Sequence, residues 1–342
     1  MTKKFMTVLG EVSSDEMGIT LPHEHFLWDV VRNYMNPLPK ELSLRNLLKQ
    51  KVNLENRGEV VYRCLDFEDN LYFDDVSVAI EEAIKFKESG GDTVFDLTLA
   101  NIGRDPEALY KISIATGVNI VMGCGNYILS SFTEEDKKKT ERQMAREIID
   151  EFNNGVGKKR IKPGVIGEIG VSDINNPIEI KSLRASALAQ KEIACAVNIH
   201  PGGSDNHKIL DILANAGANL NRVVLSHCDP SEDLEDHDSL VKRGAYIEFD
   251  MFGHERMSVK KDVFLPCDGE RIKAILAQIK KGNIEKILIS TDICMKIFLT
   301  KWGGYGYSHI INHIIPRMLQ AGITQEQIDI MTIENPRKLL CP

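Results

Sequence analysis

Residues 18–29 read GITLPHEHFLWD: a short apolar run, a proline, then two histidines separated by one glutamate. Side chains at i and i+2 share a face of a strand. If 18–25 is a strand, His23 and His25 therefore point the same way, with Glu24 directed outward. What surrounds them follows from how often such a run recurs.

It recurs throughout the chain. Apolar, β-branched runs stand at 18–25, 92–98 (DTVFDLT), 119–127 (NIVMGCGNY), 164–170 (GVIGEIG), 195–200 (CAVNIH), 222–229 (RVVLSHCD), 245–253 (AYIEFDMFG) and 286–292 (KILISTD). Segments of helical period separate them, among them 77–89, 134–153 and 270–281, and Asp105–Pro106 carries a helix-start signal. Eight such units predict an α/β fold, a single (β/α)8 TIM barrel spanning residues 1–342 as one domain. No G-x-G-x-x-G follows any run, which argues against an open dinucleotide-binding sheet. One connection is long. Between the first run and the helix near 77 lies a segment, 30–76, expected to act as a lid over the site or as a subunit contact.

Composition narrows the class. The 342 residues carry a net charge of −8 with mixed signs, which excludes the basic footprint of a nucleic-acid binder. No apolar stretch approaches the length of a membrane span, and the N-terminus has no secretory pattern. A cytoplasmic protein acting on a small molecule, without nucleic-acid or membrane partners, is expected. The 7 cysteines are scattered without a CxxC pair, so neither a disulfide framework nor a cysteine zinc site is expected.

Barrel enzymes build their sites where the strands end. Here the fourth run offers Glu168, the fifth ends on His200, the sixth on His227 and the eighth on Asp292. With His23 and His25 these are ligands suited to zinc and similar divalent ions, and they exceed the needs of one tetrahedral ion. They suit two adjacent ions sharing a bridging carboxylate and a bridging hydroxide. Zn2+ is the first choice, with Mn2+ or Co2+ as alternatives. Of the other histidines, His254 lies just past the seventh run and is a candidate pocket residue, whereas His207, His237, His309 and His313 fall in or beside predicted helices.

The order of motifs resembles the phosphotriesterase family of the amidohydrolase superfamily, in the flavour of its phosphotriesterase-related group. The likeness runs from TVLGEVSSDEMGITLPHEH through GEIG, HPGG, SHCD, STDICMK and GGYGYSHIINHIIPRML to IENPRKLL. It implies that His23, His25 and Asp292 hold the more buried ion and that His200 and His227 hold the more exposed one. Many relatives bridge the ions with a carboxylated lysine; GVIGEIG has no lysine and resembles the subgroup in which a glutamate, here Glu168, bridges. Tyr127 matches a tyrosine that lactonase-like relatives place near the exposed ion. Where relatives acting on phosphorylated sugar lactones carry a phosphate-gripping arginine, this chain has Met295 followed by Lys296. A homodimer is expected from the likeness alone.

The expected chemistry is hydrolysis: a metal-bridging hydroxide attacks the carbonyl or phosphoryl centre of an ester, lactone or N-acyl amide, with Asp292 as proton shuttle. Glu24 and Asp229 are candidate partners of the ligating imidazoles. Arg256, Lys260, Lys261, Lys296 and Lys301 in the flanking loops suggest an anionic substrate, for instance the carboxylate or sulfonate of an acylated small molecule, with Lys296 the candidate contact. The competing readings are a phosphotriester hydrolase, a mononuclear deaminase-type enzyme and a non-catalytic ligand-binding barrel.

Overall fold

The computed structural model describes residues 3–35, 39–229, 234–254, 258–260 and 263–341, with backbone alone at 258–260 and at 263 and 264. All eight apolar runs form strands: β1 (Ile19–Glu24), β2 (Gly91–Asp96), β3 (Asn119–Cys124), β4 (Val165–Gly170), β5 (Val197–His200), β6 (Val223–Leu225), β7 (Tyr246–Phe249) and β8 (Ile287–Ile289). They pair in parallel in chain order from β1 to β8. The ends then meet. The β1 residue His23 donates its N–H to Ser290 Oγ at 3.2 Å, and its carbonyl accepts the Asp292 N–H at 3.2 Å. The molecule is an α/β barrel of the TIM type, as the alternation of runs predicts.

The strands are buried on both faces, which is why they read as continuous apolar runs. A smaller apolar cluster gathers Phe95, Val121, Val165, Val224, Tyr246 and Leu288 from successive strands and adds Phe5 from the antiparallel pair Lys4–Thr7 and Gly10–Ser13.

The helices start where the sequence says. Asp105 accepts the Ala108 N–H at 3.0 Å, and Pro106 opens the helix Pro106–Thr116. The segment expected as one helix over 134–153 is two, Glu134–Lys138 and Glu141–Asn154. Thr133 and Thr140 each build a capping box, with Asp136 and Gln143, so the second threonine restarts the helix. Met144, Ala145, Ile148 and Ile149 are its buried stripe.

The chain after β1 carries its own small elements. Trp28–Asp29 pairs antiparallel with Tyr72–Phe73, and between them lie the helices Val31–Tyr34, Leu42–Leu48 and Arg57–Tyr62. These residues clasp the loop that follows β8. Asn70 Oδ1 accepts the Ile297 N–H at 3.1 Å, Arg57 Nε donates to the Trp302 carbonyl at 3.0 Å, and Phe73 sits edge-on to Trp302 with centroids 5.9 Å apart. No helix among the described residues is long and apolar enough to cross a membrane.

Candidate metal centre

The strand ends bring His23, His25, Glu168, His200, His227 and Asp292 into one cluster. Strand geometry places the two β1 histidines side by side, with ring centroids 5.7 Å apart. Glu168 follows Gly167, where any side chain would put its Cβ 2.2 Å from the Asn198 carbonyl oxygen, so β4 and β5 approach closely there. His227 and Asp292 both have left-handed backbones, φ 55° and 43°, a conformation that costs of order 1 kcal/mol for a residue with a Cβ. Both lie just past the ends of their strands, where the chain turns over the barrel mouth.

Glu168 stands between two groups. Its Oε1 is 3.5 Å from His25 Nε2, and its Oε2 is 3.5 Å from His23 Nε2, 3.0 Å from His200 Nδ1 and 3.6 Å from His227 Nε2. Asp292 Oδ1 completes the inner group, 3.3 Å from His25 Nε2 and 3.7 Å from His23 Nε2. The His23 side chain is fully buried, while that of His200 retains 14% exposure, so one group is inner and the other faces the cavity.

The donor chemistry fits divalent ions. His23 Nε2 is buried with no hydrogen-bond partner among the described residues, a lone-pair position with nothing to accept from. Three of the imidazoles have their other nitrogen occupied, as ligating histidines do. His23 Nδ1 is 3.0 Å from Glu248 and 3.2 Å from Asp250, His25 Nδ1 is 2.9 Å from Thr98 Oγ1, and His227 Nδ1 is 2.9 Å from Asp250. Burial pushes the Glu168 carboxyl up, but His200 and His23 outweigh it and hold the group well below the usual carboxylate range. Burial lowers His23 and His227, yet Asp250 above all raises both well above an ordinary imidazole. The cluster is built for positive charge.

Glu248 and Asp250 are the residues that strand counting missed. They stand at i and i+2 in AYIEFDMFG, the same spacing that marks His23 and His25, and both are fully buried. The two candidate partners of the imidazoles lie elsewhere. Glu24, expected to point outward, is fully buried and accepts from the backbone of Thr291 at 2.7 Å and Ile293 at 2.9 Å and from Thr291 Oγ1 at 2.6 Å. Asp229 lies one layer further out, accepting the Asp250 N–H at 3.0 Å and pairing with Arg271 Nε at 2.6 Å.

A cavity of about 610 Å³ opens over the cluster, lined by His25, Glu168, His200, His227 and Asp292 and walled by Trp28, Val30, Leu65, Ile102, Met251 and Leu265. Tyr127 and His254 line it too. Tyr127 Oη is 3.3 Å from both ring nitrogens of His200. His254 stacks on Phe298 with centroids 3.7 Å apart, and its Nε2 has no hydrogen-bond partner among the described residues. Burial pushes its imidazole down to about 4. Lys296 is not in the wall: its ammonium is 2.8 Å from Asp69. Lys301 stands 5.5 Å from the Trp302 ring centroid, and Arg256, Lys261 and the Lys260 side chain lie outside the described residues. His207, expected on a helix surface, begins the helix Asn206–Asn215 and reaches the cavity.

Comparison with known proteins places these features in a group. The model of the phosphotriesterase family matches residues 3–340. An N-acetyltaurine hydrolase of Dictyostelium discoideum is 36% identical, covering 98% of this chain and 97% of its own. A phosphotriesterase-related protein of Nematostella vectensis is 37% identical with the same coverage, 98% and 97%. Among solved structures, a resiniferatoxin-binding protein from Rhodobacter sphaeroides superposes with a TM-score of 0.95 at 35% identity, covering 99% of this chain and 95% of that one.

Proposed function

The chain belongs to the phosphotriesterase family, and from that premise we propose that it is a binuclear metal-dependent amidohydrolase that cleaves the acyl–nitrogen bond of a small N-acylated molecule. The observation that carries this reading is Glu168, whose carboxylate stands within 3.6 Å of all four histidines at the mouth of the barrel, His23 and His25 on the inner side and His200 and His227 on the outer. His23, His25 and Asp292 would hold the inner ion, His200 and His227 the outer one, and Glu168 both. Zinc suits the set of four imidazoles and two carboxylates, with Mn2+ or Co2+ as substitutes. Such ions, when bound, polarise a carbonyl and bring the pKa of bound water toward neutrality.

The protein's own groups supply the rest. The relatives named N-acetyltaurine hydrolase are the reason to prefer an amide over the ester, lactone or phosphotriester that the same chemistry could serve. Burial raises the Asp292 carboxyl, but its hydrogen bond to His25 and the nearby His23 and His227 hold it below its ordinary value. It is therefore an ionised base at neutral pH. Asp292 Oδ2, away from the inner histidines, takes the proton of the attacking water and returns it to the leaving nitrogen. Apolar walls exclude water from the acyl group, and Tyr127 presents its hydroxyl beside His200. Of the two roles expected for 30–76, a roof over the site is favoured, since Val30, Tyr34 and Leu65 all reach the cavity.

The test is a rate screen of zinc- and manganese-loaded protein on N-acetyl aminosulfonates, N-acetyl amino acids, a lactone, an aryl ester and a phosphotriester. The highest kcat/KM is expected on an N-acyl amide. Asp292→Asn should lower kcat by roughly 10³-fold. A preference for the phosphotriester, or ligand binding without turnover of any of these, would overturn the proposal.

A further inference from the structure

The outer partners of His23, His25 and His227 come from barrel strands and their ends, and those of His23 and His227 include carboxylates. His200 differs. Its Nδ1 faces Glu168 and His227, at 3.0 and 2.7 Å, so Nδ1 is the nitrogen turned toward the cluster. A neutral imidazole then carries its proton on Nε2. Among the described residues, the groups within reach of that nitrogen are two phenols, Tyr34 Oη at 3.4 Å and Tyr127 Oη at 3.3 Å. Tyr127 Oη is equally near Nδ1, which sets it midway between the ring nitrogens, whereas Tyr34 Oη reaches Nε2 alone. The two hydroxyls are in direct hydrogen-bond contact.

We propose that Tyr34 is a positioning residue of the active site, which accepts the His200 Nε2–H and donates its own hydroxyl proton to Tyr127, so that the Tyr127 proton is aimed at the substrate oxygen. Three hydrogen bonds then run in one direction, His200 to Tyr34 to Tyr127 to substrate. Each hydroxyl both donates and accepts, which polarises the last donor in the chain. Tyr34 fixes the His200 tautomer, as an outer partner does for a ligating histidine, and does so from the short helix Val31–Tyr34 after β1. That helix is tied to the loop bearing Tyr127: Asn33 Nδ2 donates to Ser130 Oγ at 3.1 Å. The roof is thereby coupled to the outer half of the metal centre.

This inference rests on the binuclear hydrolase reading but is tested without it. Tyr34→Phe keeps the ring that lines the cavity and removes the hydroxyl. Titration of the metal-free protein with Co2+, followed by visible absorption, should show the second equivalent bound about tenfold more weakly in Tyr34→Phe. In turnover, kcat should fall about tenfold with KM held. The double variant Tyr34→Phe/Tyr127→Phe should be no slower than Tyr127→Phe alone, since one hydroxyl acts through the other. Wild-type affinity for the second Co2+ in Tyr34→Phe, or losses that multiply in the double variant, would overturn the proposal. Should the wild type hydrolyse none of the N-acyl amides, the functional reading fails while the Co2+ titration still decides the role of Tyr34.

Discussion

At the scale of single residues, identity and spacing pointed to the cluster, but surroundings decide what each group does. His25 and His254 both line the cavity, yet they titrate in opposite directions. Burial lowers both, but Asp292 and Glu168 beside His25 raise it above its usual value, whereas His254, stacked on Phe298, falls to about 4. The sign of the consequence follows. Below about pH 6.5 the unfolded chain takes up a proton at His254 that the folded chain refuses until about pH 4, so acid favours unfolding through this group. Denaturant unfolding of wild type and His254→Gln between pH 7 and 4 should show the wild type losing about 3 kcal/mol relative to the variant. A constant difference across that range would show that His254 is protonated in the fold.

At the scale of elements, legibility followed periodicity. The eight strands were readable because each is a buried run, and four of the candidate ligands were readable because they sit at or just past strand ends. Glu248 and Asp250 follow the same i, i+2 rule at the end of β7, but nothing in the run AYIEFDMFG marks them off from the other polar positions of the strands. Glu24 defeats the rule for a physical reason. It occupies the other face of β1, which the alternation assigns to the outside, but β1 closes the barrel against β8. Its carboxylate therefore meets the backbone of 291–293 instead of solvent. It holds the turn that presents Asp292. Glu24→Ala leaves the N–H groups of Thr291 and Ile293 and the Thr291 hydroxyl without their acceptor. A loss of about 3–5 kcal/mol in unfolding free energy is expected, with weaker metal binding. A variant as stable as wild type would mean that the turn holds itself.

At the scale of the whole molecule, the long connection after β1 was visible as a length but not as a contact. Nothing local in its sequence says that Tyr34 meets Tyr127 and His200, since those pairs are set by how the segment folds back over the barrel mouth. The same folding draws Lys296 away from the cavity, because its ammonium pairs with Asp69 of the segment, which it shares with Lys51. Charge counted along a loop misleads when a partner arrives from elsewhere in the chain. In the proposed function the barrel supplies the metal ligands and the segment after β1 roofs them. Metal content per chain after loading and desalting tests the binuclear centre most directly. About two equivalents of Zn2+ are expected in the wild type, falling to one or fewer in Glu168→Ala. A single equivalent in the wild type that survives Glu168→Ala would contradict it.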